Sequence, residues 1–226
     1  MKIGVCSLTI GTEYKDATKY GRQSKIEYCE KNNYTFIEDS EVYDITRPIP
    51  WSKILLIKKY LPFYDYILWL DGDTMILNYE TKVELMIEEY MNNKDFLMTR
   101  DSGNLINTGV WFIKNTYYSM NILKTIYNHI DYINDPYWEQ GAFSDLYSKN
   151  IFDLQSNCTI LEQKMRNIFN ATIYEYKIGF FLIHLMGIRG LNHIKEVMND
   201  HYFYVREGED TITYENRKKW FKLRYS

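Results

Sequence analysis

Three cysteines in 226 residues are too few for a disulfide-stapled fold, and Cys6, Cys29 and Cys158 are widely separated and odd in number. No Cys-x-x-Cys pair and no Cys/His cluster occurs, which removes the sequence signature of a structural zinc site. A reducing compartment is the simpler expectation. Long apolar runs are missing as well. The first one, residues 3–10, breaks at Gly11-Thr12-Glu13. It is too short for a signal-peptide core with its cleavage site and far short of the ~20 residues that span a bilayer. The expectation is a soluble, cytoplasmic protein without a transmembrane segment. Basic excess is absent too: 27 Lys and Arg against 30 Asp and Glu leave a net charge of −3, so no global field argues for a nucleic-acid partner. Prolines number only 4, and no linker, repeat or low-complexity stretch divides the chain, which therefore reads as one domain. A chain of this length buries roughly 70% of its unfolded surface and needs no covalent staple. The Asn-x-Ser/Thr triplets at Asn33, Asn157 and Asn170 follow from a composition rich in asparagine.

What the chain does have is rings, 17% of all residues, with 22 Tyr and 5 Trp. A flat apolar face with a polar edge suits wet interfaces and sugar rings. Compositional drift gives the same excess, because Ile, Asn and Lys are abundant beside the rings, and drift is the starting reading.

Apolar runs of strand length occur at residues 2–9, 34–38, 65–70, 95–99, 109–113 and 180–185, with a further apolar stretch at 74–77. Helical patterns occupy 14–32, 51–60, 81–91, 117–133, 138–147 and 192–199, with Pro50 placed to start the second of these. Strands that alternate with helices and are apolar throughout point to an α/β fold with a mostly parallel sheet covered on both faces. Ligands gather at the carboxyl ends of such strands. Two segments lie there, Ser7-Leu8-Thr9 and Asp71-Gly72-Asp73.

Asp-x-Asp by itself is a weak signal, but here both acids follow a strand that carries no polar residue after Tyr66. Two carboxylates so placed repel unless a proton or cation intervenes, and a hard divalent ion relieves the repulsion while keeping sites for phosphate oxygens. That reading is preferred to an acidic turn bent at Gly72. His184 stands inside the apolar run 180–185, where a histidine is usually a satisfied core residue. Gly187 and Gly190 beside Arg189 raise its interest, since they permit close backbone approach and arginine suits phosphate oxygens.

Trp51-Ser52-Lys53, the block from Tyr66 through Asp71-Gly72-Asp73-Thr74, Asn107-Thr108-Gly109 with the apolar run to Asn115, Glu139-Gln140, and His184-Leu185-Met186-Gly187-Ile188-Arg189 occur in this order. Together with Lys25-Ile26-Glu27-Tyr28-Cys29, the set resembles the galactosyl-, mannosyl- and xylosyltransferases of glycosyltransferase family 34, a retaining group. The resemblance runs from about Lys2 to about Arg189. It implies a GT-A type α/β fold, a Rossmann-like nucleotide-sugar-binding half over about 1–115 and an acceptor half over about 116–226, within a single glycosyltransferase domain. It implies Asp71, Asp73 and His184 as ligands of Mn²⁺ (or Mg²⁺) and Glu139-Gln140 as the catalytic pair near the anomeric carbon. Donor contacts are implied for Ser7, Leu8 and Thr9 on the nucleoside, for Asn107 and Gly109, for Lys53 and Asp71, and for Gly187 with Arg189, which stands where the family commonly has a lysine on the diphosphate. Ser24, Asn32-Asn33 and Phe180 depart from the family's usual residues. The implied activity is metal-dependent transfer of a hexose or pentose from a nucleotide diphosphate sugar, a UDP-sugar, to a glycan hydroxyl with retention.

Two other readings remain open at the level of sequence. A haloacid-dehalogenase-type phosphatase would use Asp71 as nucleophile, but there the acid usually ends the first strand. A non-catalytic carbohydrate-binding protein would use the rings alone. The rings Trp51, Tyr137 and Trp138, beside Lys53 and Glu139-Gln140, are expected to face nucleotide or sugar; Tyr66, Trp69 and Phe112 are expected in the core. The basic, aromatic tail Arg217–Arg224 permits peripheral contact with an anionic membrane. A solvated helix whose apolar side packs inward is the preferred reading.

Overall fold

The computed structural model describes residues 1–101, 103–162, 165 and 168–225, with residues 224 and 225 described by backbone alone. The chain divides into two compact units, each assembled from three separated segments: residues 1–8, 34–71 and 82–163, and residues 9–33, 72–81 and 164–226.

The first unit is built on a six-stranded sheet, β1 (Ile3–Cys6), β2 (Thr35–Ile37), β3 (Tyr66–Leu70), β5 (Phe96–Arg100), β6 (Ile106–Lys114) and β7 (Cys158–Leu161), in the order β2-β1-β3-β6-β5-β7. The pairs β2-β1, β1-β3 and β5-β7 are parallel, and β6 alone runs antiparallel to both of its neighbours. The mostly parallel α/β sheet is the one expected from uninterrupted apolar strands, and β1, β3 and β6 are buried along nearly their whole length. β6 begins at Ile106, three residues earlier than its apolar run, because Asn107 and Thr108 are buried through hydrogen bonds and carry no apolar signal. β7 escapes sequence reading altogether, being four residues with only its ends buried.

Helices α3 (Ser52–Tyr60), α5 (Tyr117–Tyr127) and α6 (Trp138–Ser148) belong to this unit, with the short α4 (Val83–Met86) running on as a π-helical turn over Ile87–Met91. The pattern over 117–133 stops early, at Tyr127, and resumes only as a single 3₁₀ turn at Ile130–Tyr132. Phe143 fixes α6 on the sheet: its ring meets Phe96 and Trp111 edge-on at 6.2 and 5.8 Å, while those two stack at 6.0 Å. A ring trio of this kind contributes about 0.5–1.5 kcal/mol per pair beyond burial. It also sets where the first turn of α6, with Glu139 and Gln140, comes to lie.

The second unit holds α1 (Thr12–Ala17), α2 (Lys19–Asn32), the antiparallel pair β4 (Thr74–Ile76) and β8 (Leu182–His184), α7 (Leu191–Asp200) and α8 (Thr211–Tyr225). The pattern over 14–32 is broken at Thr18, whose hydroxyl donates to the Tyr14 carbonyl at 2.8 Å and diverts the chain between α1 and α2. Met75, Ile183, Val197, Met198, Tyr214 and Phe221 share one core. The tail is thus a helix whose Tyr214 and Phe221 are buried, while Trp220 and Leu223 are exposed. Arg217 pairs with Asp200 and Glu209, and Lys218 with Glu215; the side chain of Arg224 lies outside the described residues. Among the described residues no helix is long and apolar enough to cross a membrane.

Two residues of this unit carry testable consequences. Gly21 lets α2 lie against β4: a Cβ there would stand 2.6 Å from the Thr74 carbonyl and 2.8 Å from Met198 Cε. One turn on, Ser24 Oγ accepts the Ile76 amide at 3.0 Å and donates to the Gly21 carbonyl at 2.8 Å. The Thr74 carbonyl is backbone and cannot rotate away, so Gly21→Ala should cost about 1–3 kcal/mol despite alanine's better helix propensity. Chemical denaturation measures this, and an unchanged midpoint would refute the packing argument.

His201 is buried with Nδ1 donating to the Val197 carbonyl at 2.8 Å and Nε2 facing the Tyr214 hydroxyl at 3.3 Å. Burial pushes its pKa from 6.5 down to about 4. The unfolded chain therefore binds the extra proton first, and stability falls as pH drops from about 6.5 to about 4, by about 3 kcal/mol at the end of that window. Paired melts of the wild type and His201→Phe across this range should converge toward acid pH, and parallel curves would exclude the assignment.

Candidate functional site

The polypeptide leaves β3 through Asp71-Gly72-Asp73 and enters β4 at Thr74. Within the first unit the Asp71 amide donates to the Gly109 carbonyl at 2.8 Å, which pins the end of β3 to β6. Within the second, Gly72 fits because a Cβ there would meet Tyr14 Cε1 at 2.8 Å and Thr9 Cγ2 at 2.9 Å. Lys25, fully buried, reaches the Gly72 carbonyl at 3.4 Å. Thr74 pairs with His184 across β4 and β8, and the Leu185 amide donates to the Asp73 carbonyl at 3.0 Å. That register brings His184 Nε2 to 3.4 Å from Asp73 Oδ1. Candidate ligand atoms of Asp71, Asp73 and His184 all lie within 4.8 Å of one another.

The other side of the His184 ring faces Asn170, Nδ1 to Oδ1 at 3.1 Å. An amide oxygen there requires the proton on Nδ1 and turns the Nε2 lone pair toward the acids, which is the arrangement that orients a metal-bound imidazole. Burial alone would raise the Asp73 pKa, but the positive charge that His184 carries when Nε2 also holds a proton, together with Lys25, outweighs it and holds the carboxyl below its ordinary range. Two carboxylates and an imidazole suit a hard to borderline divalent ion such as Mn²⁺ or Mg²⁺. The donor set therefore fits the expected metal.

In the first unit a buried lysine gathers the remaining acids. Lys53 Nζ lies 2.9 Å from Asp71 Oδ1, 2.7 Å from Glu139 Oε1 and 3.1 Å from the Thr108 carbonyl. Trp69 Nε1 donates to the same Asp71 oxygen at 2.7 Å, and its ring lies 5.5 Å below the ammonium. Burial would lower the Lys53 pKa, yet the charges of Asp71 and Glu139 overcome it and hold the amine protonated. For Glu139 burial is the larger influence and raises the pKa, while Lys53 opposes it. Thr108 Oγ1 also donates to Glu139 Oε1 at 3.1 Å. Gln140 is half-buried, and its Oε1 accepts from the Thr108 amide at 3.2 Å and from Asn107 Nδ2 at 3.5 Å. Asn107 Oδ1 in turn accepts the Gly109 amide at 3.0 Å.

Six residues singled out from sequence, Lys53, Asp71, Asn107, Gly109, Glu139 and Gln140, thus form one connected network in the first unit. Ser7 and Leu8 follow β1 in the same unit and are buried, with the Ser7 amide on the Ile37 carbonyl at 3.0 Å. In the second unit Thr9 lies against Gly72, and Gly187 and Arg189 are exposed after β8, with Gly187 at φ 78°. Trp51 corrects an expectation. It is fully buried, its Nε1 donates to the Ile133 carbonyl at 3.2 Å and its ring packs edge-on against Tyr127, so it presents no face to a ligand. Tyr137 and Trp138 are exposed. Asn170, Trp69 and Thr108 were not singled out as site residues: a sequon, a strand tryptophan and a threonine between two named neighbours carry no signal of their own.

Comparison with known proteins bears on the family and the fold. Residues 12–94 match the galactosyl transferase GMA12/MNN10 family, and residues 66–216 match the nucleotide-diphospho-sugar transferases. No curated protein matches the sequence significantly. Among solved structures, a glycosyltransferase involved in glycosylation of the major capsid of PBCV-1 aligns over 88% of this chain and 100% of its own, at 18% identity and a TM-score of 0.69. The glycosyltransferase GlyE of Streptococcus pneumoniae TIGR4 aligns over 100% of this chain, which spans 64% of GlyE, at 13% identity and a TM-score of 0.58. Identities this low speak for the fold alone, which is of the GT-A type. The family match covers two thirds of the sequence and includes the Asp71-Gly72-Asp73 turn, β8 and the Glu139-Gln140 helix, so the chain belongs to the nucleotide-diphospho-sugar transferases and is a glycosyltransferase.

Proposed function

We propose that the whole chain serves as one glycosyltransferase domain that moves a hexose or pentose from a UDP-sugar to a hydroxyl of a glycan acceptor, with retention at the anomeric carbon. The observation that carries the metal-dependent part is the convergence of Asp71, Asp73 and His184 within 4.8 Å. These three side chains would hold Mn²⁺ or Mg²⁺, which when bound supplies Lewis-acid stabilisation of the departing diphosphate. Asn170 keeps His184 in the ligating tautomer. Arg189, exposed on the glycine-flanked segment after β8, adds a fixed positive charge for the same phosphates. Ser7, Leu8 and Thr9 hold the nucleoside, with Asn107 and Gly109 on the donor side.

The catalytic pair divides its work in this reading. Glu139 is 3% exposed and tied to Lys53, too enclosed to attack a sugar carbon, so it sets the negative field on that side of the site. Gln140, held through its Oε1 by Thr108 and Asn107, keeps a fixed orientation and meets the sugar beside its anomeric carbon. Fixed dipoles and charges of this kind stabilise an oxocarbenium-like state without reorganising at the moment of reaction.

Calorimetry with UDP, with GDP and with inorganic phosphate, each with and without Mn²⁺, tests the reading. UDP should bind only with the metal present. Equal binding with and without Mn²⁺, or none at all, would overturn it. A panel of UDP-sugars screened for Mn²⁺-dependent hydrolysis then identifies the donor, and the anomeric configuration of the product by NMR decides retention.

A further inference from the structure

A cleft of about 240 Å³ lies in the first unit between the β5–β6 connection and the outer turns of α6, with Gln155 at its rim. Arg100 and Ile106 face each other at the ends of β5 and β6, so the cleft opens at the carboxyl edge of the parallel strands, where ligands gather in such sheets. Its floor is an extension of the catalytic helix. Gln140, Ser144 and Ser148 are spaced four residues apart on α6 and share one face. Ser144 therefore sits about 6 Å, and Ser148 about 12 Å, along the axis from Gln140.

Three polar groups in this cleft have unspent hydrogen-bonding capacity. Ser144 Oγ is buried and has no partner among the described residues, so a turn about χ1 that brings it to a ligand in the cleft breaks no hydrogen bond. Arg100 Nη1 donates to the Asn104 carbonyl at 2.9 Å, which anchors the guanidinium and leaves further donors for a ligand. The Gln155 amide nitrogen is taken by the Tyr147 carbonyl at 2.8 Å, which leaves the amide oxygen as an acceptor. Leu105 and Tyr147 supply apolar wall. A guanidinium, a hydroxyl and an amide oxygen beside apolar surface form a mixed set that matches a polyhydroxylated ring, and the volume is below the ~300 Å³ at which drug-sized ligands begin to fit.

We infer that this cleft is an acceptor subsite that seats a single pyranose unit of the glycan, with Ser144 and Arg100 on its hydroxyls or on a carboxylate it carries. The inference rests on the glycosyltransferase reading and deepens it, because the subsite runs along the helix that starts at Glu139-Gln140. Methyl α-glucoside and methyl α-glucuronide are the probes, titrated by saturation-transfer NMR into the full chain, with UDP and Mn²⁺ titrated separately into the same preparation. At least one glycoside should bind with a millimolar Kd, and Ser144→Leu, which fills the cleft, should weaken it at least tenfold. Arg100→Ala, at the partly exposed rim, is the second variant should the leucine disturb folding, and it should cost the glucuronide more than the glucoside if arginine meets a carboxylate. Absence of binding by both probes while UDP binds with Mn²⁺ overturns the subsite and keeps the transferase reading, as does binding untouched by either substitution. Glycoside binding without any metal-dependent UDP binding overturns the acceptor role.

Discussion

Asp73→Ala should reduce Mn²⁺-dependent sugar transfer by about 10³-fold while leaving the fold in place. Its carboxylate is one of the three groups within 4.8 Å that would hold the ion, and stabilisation of a departing diphosphate by a divalent ion supplies several kcal/mol, each ~1.36 kcal/mol being tenfold in rate. Its removal keeps the contact between His184 and Asn170, a neutral pair that needs no counter-charge. Circular dichroism should therefore remain unchanged, and electron paramagnetic resonance should report weaker Mn²⁺ binding at the same time as the rate falls. A variant that transfers sugar within threefold of the wild type would remove Asp73 from the centre.

The parts of this protein legible in its sequence are those written in local pattern. The apolar run of β3 ends abruptly at two charges, and both the strand and the Asp71-Gly72-Asp73 turn follow from that. The Glu139-Gln140 pair is carried on a helix that could be read from its spacing. His184 is different. In sequence it is a histidine inside an apolar run, and only the pairing of Thr74 with His184 across β4 and β8, two segments over 100 residues apart, turns it toward Asp73. Asn170 is further still from any local signal: its triplet reads as chance, yet its side chain fixes the imidazole tautomer. Trp51 shows the reverse failure. Adjacency to Lys53 suggested a ligand-facing ring, but residues two apart at the start of a helix point different ways, and the lysine turns to the acids while the tryptophan turns to Tyr127 and Ile133. Position in the chain predicted which segments matter and did not predict which way each side chain faces.

Lys53→Met should be the most destabilising single substitution considered. The lysine side chain is 5% exposed and its ammonium is shared by two carboxylates, Asp71 at 2.9 Å and Glu139 at 2.7 Å. Replacing it with an apolar chain of similar length keeps the volume and strands both charges, and removing one partner of a buried pair costs about 3–5 kcal/mol. For a protein of this size that corresponds to a fall in Tm of roughly 6–20 °C. Much of the loss is the cost of leaving Glu139 ionised without its cation, since its Oε2 is already buried with no hydrogen-bond partner among the described residues. Two further outcomes separate this account from a simple packing defect. Lys53→Met combined with Glu139→Gln should be more stable than Lys53→Met alone, because the second change removes the stranded charge. The deficit of the single variant should also shrink as pH falls. Without Lys53 the native Glu139 binds its proton more tightly than the unfolded chain does, so stability declines as pH rises above the ordinary glutamate range and recovers below it. A deficit that is independent of pH and additive with Glu139→Gln would make Lys53 a space-filling residue. The predicted pattern would make it the charge that allows two acids to share the end of β3 and the start of α6.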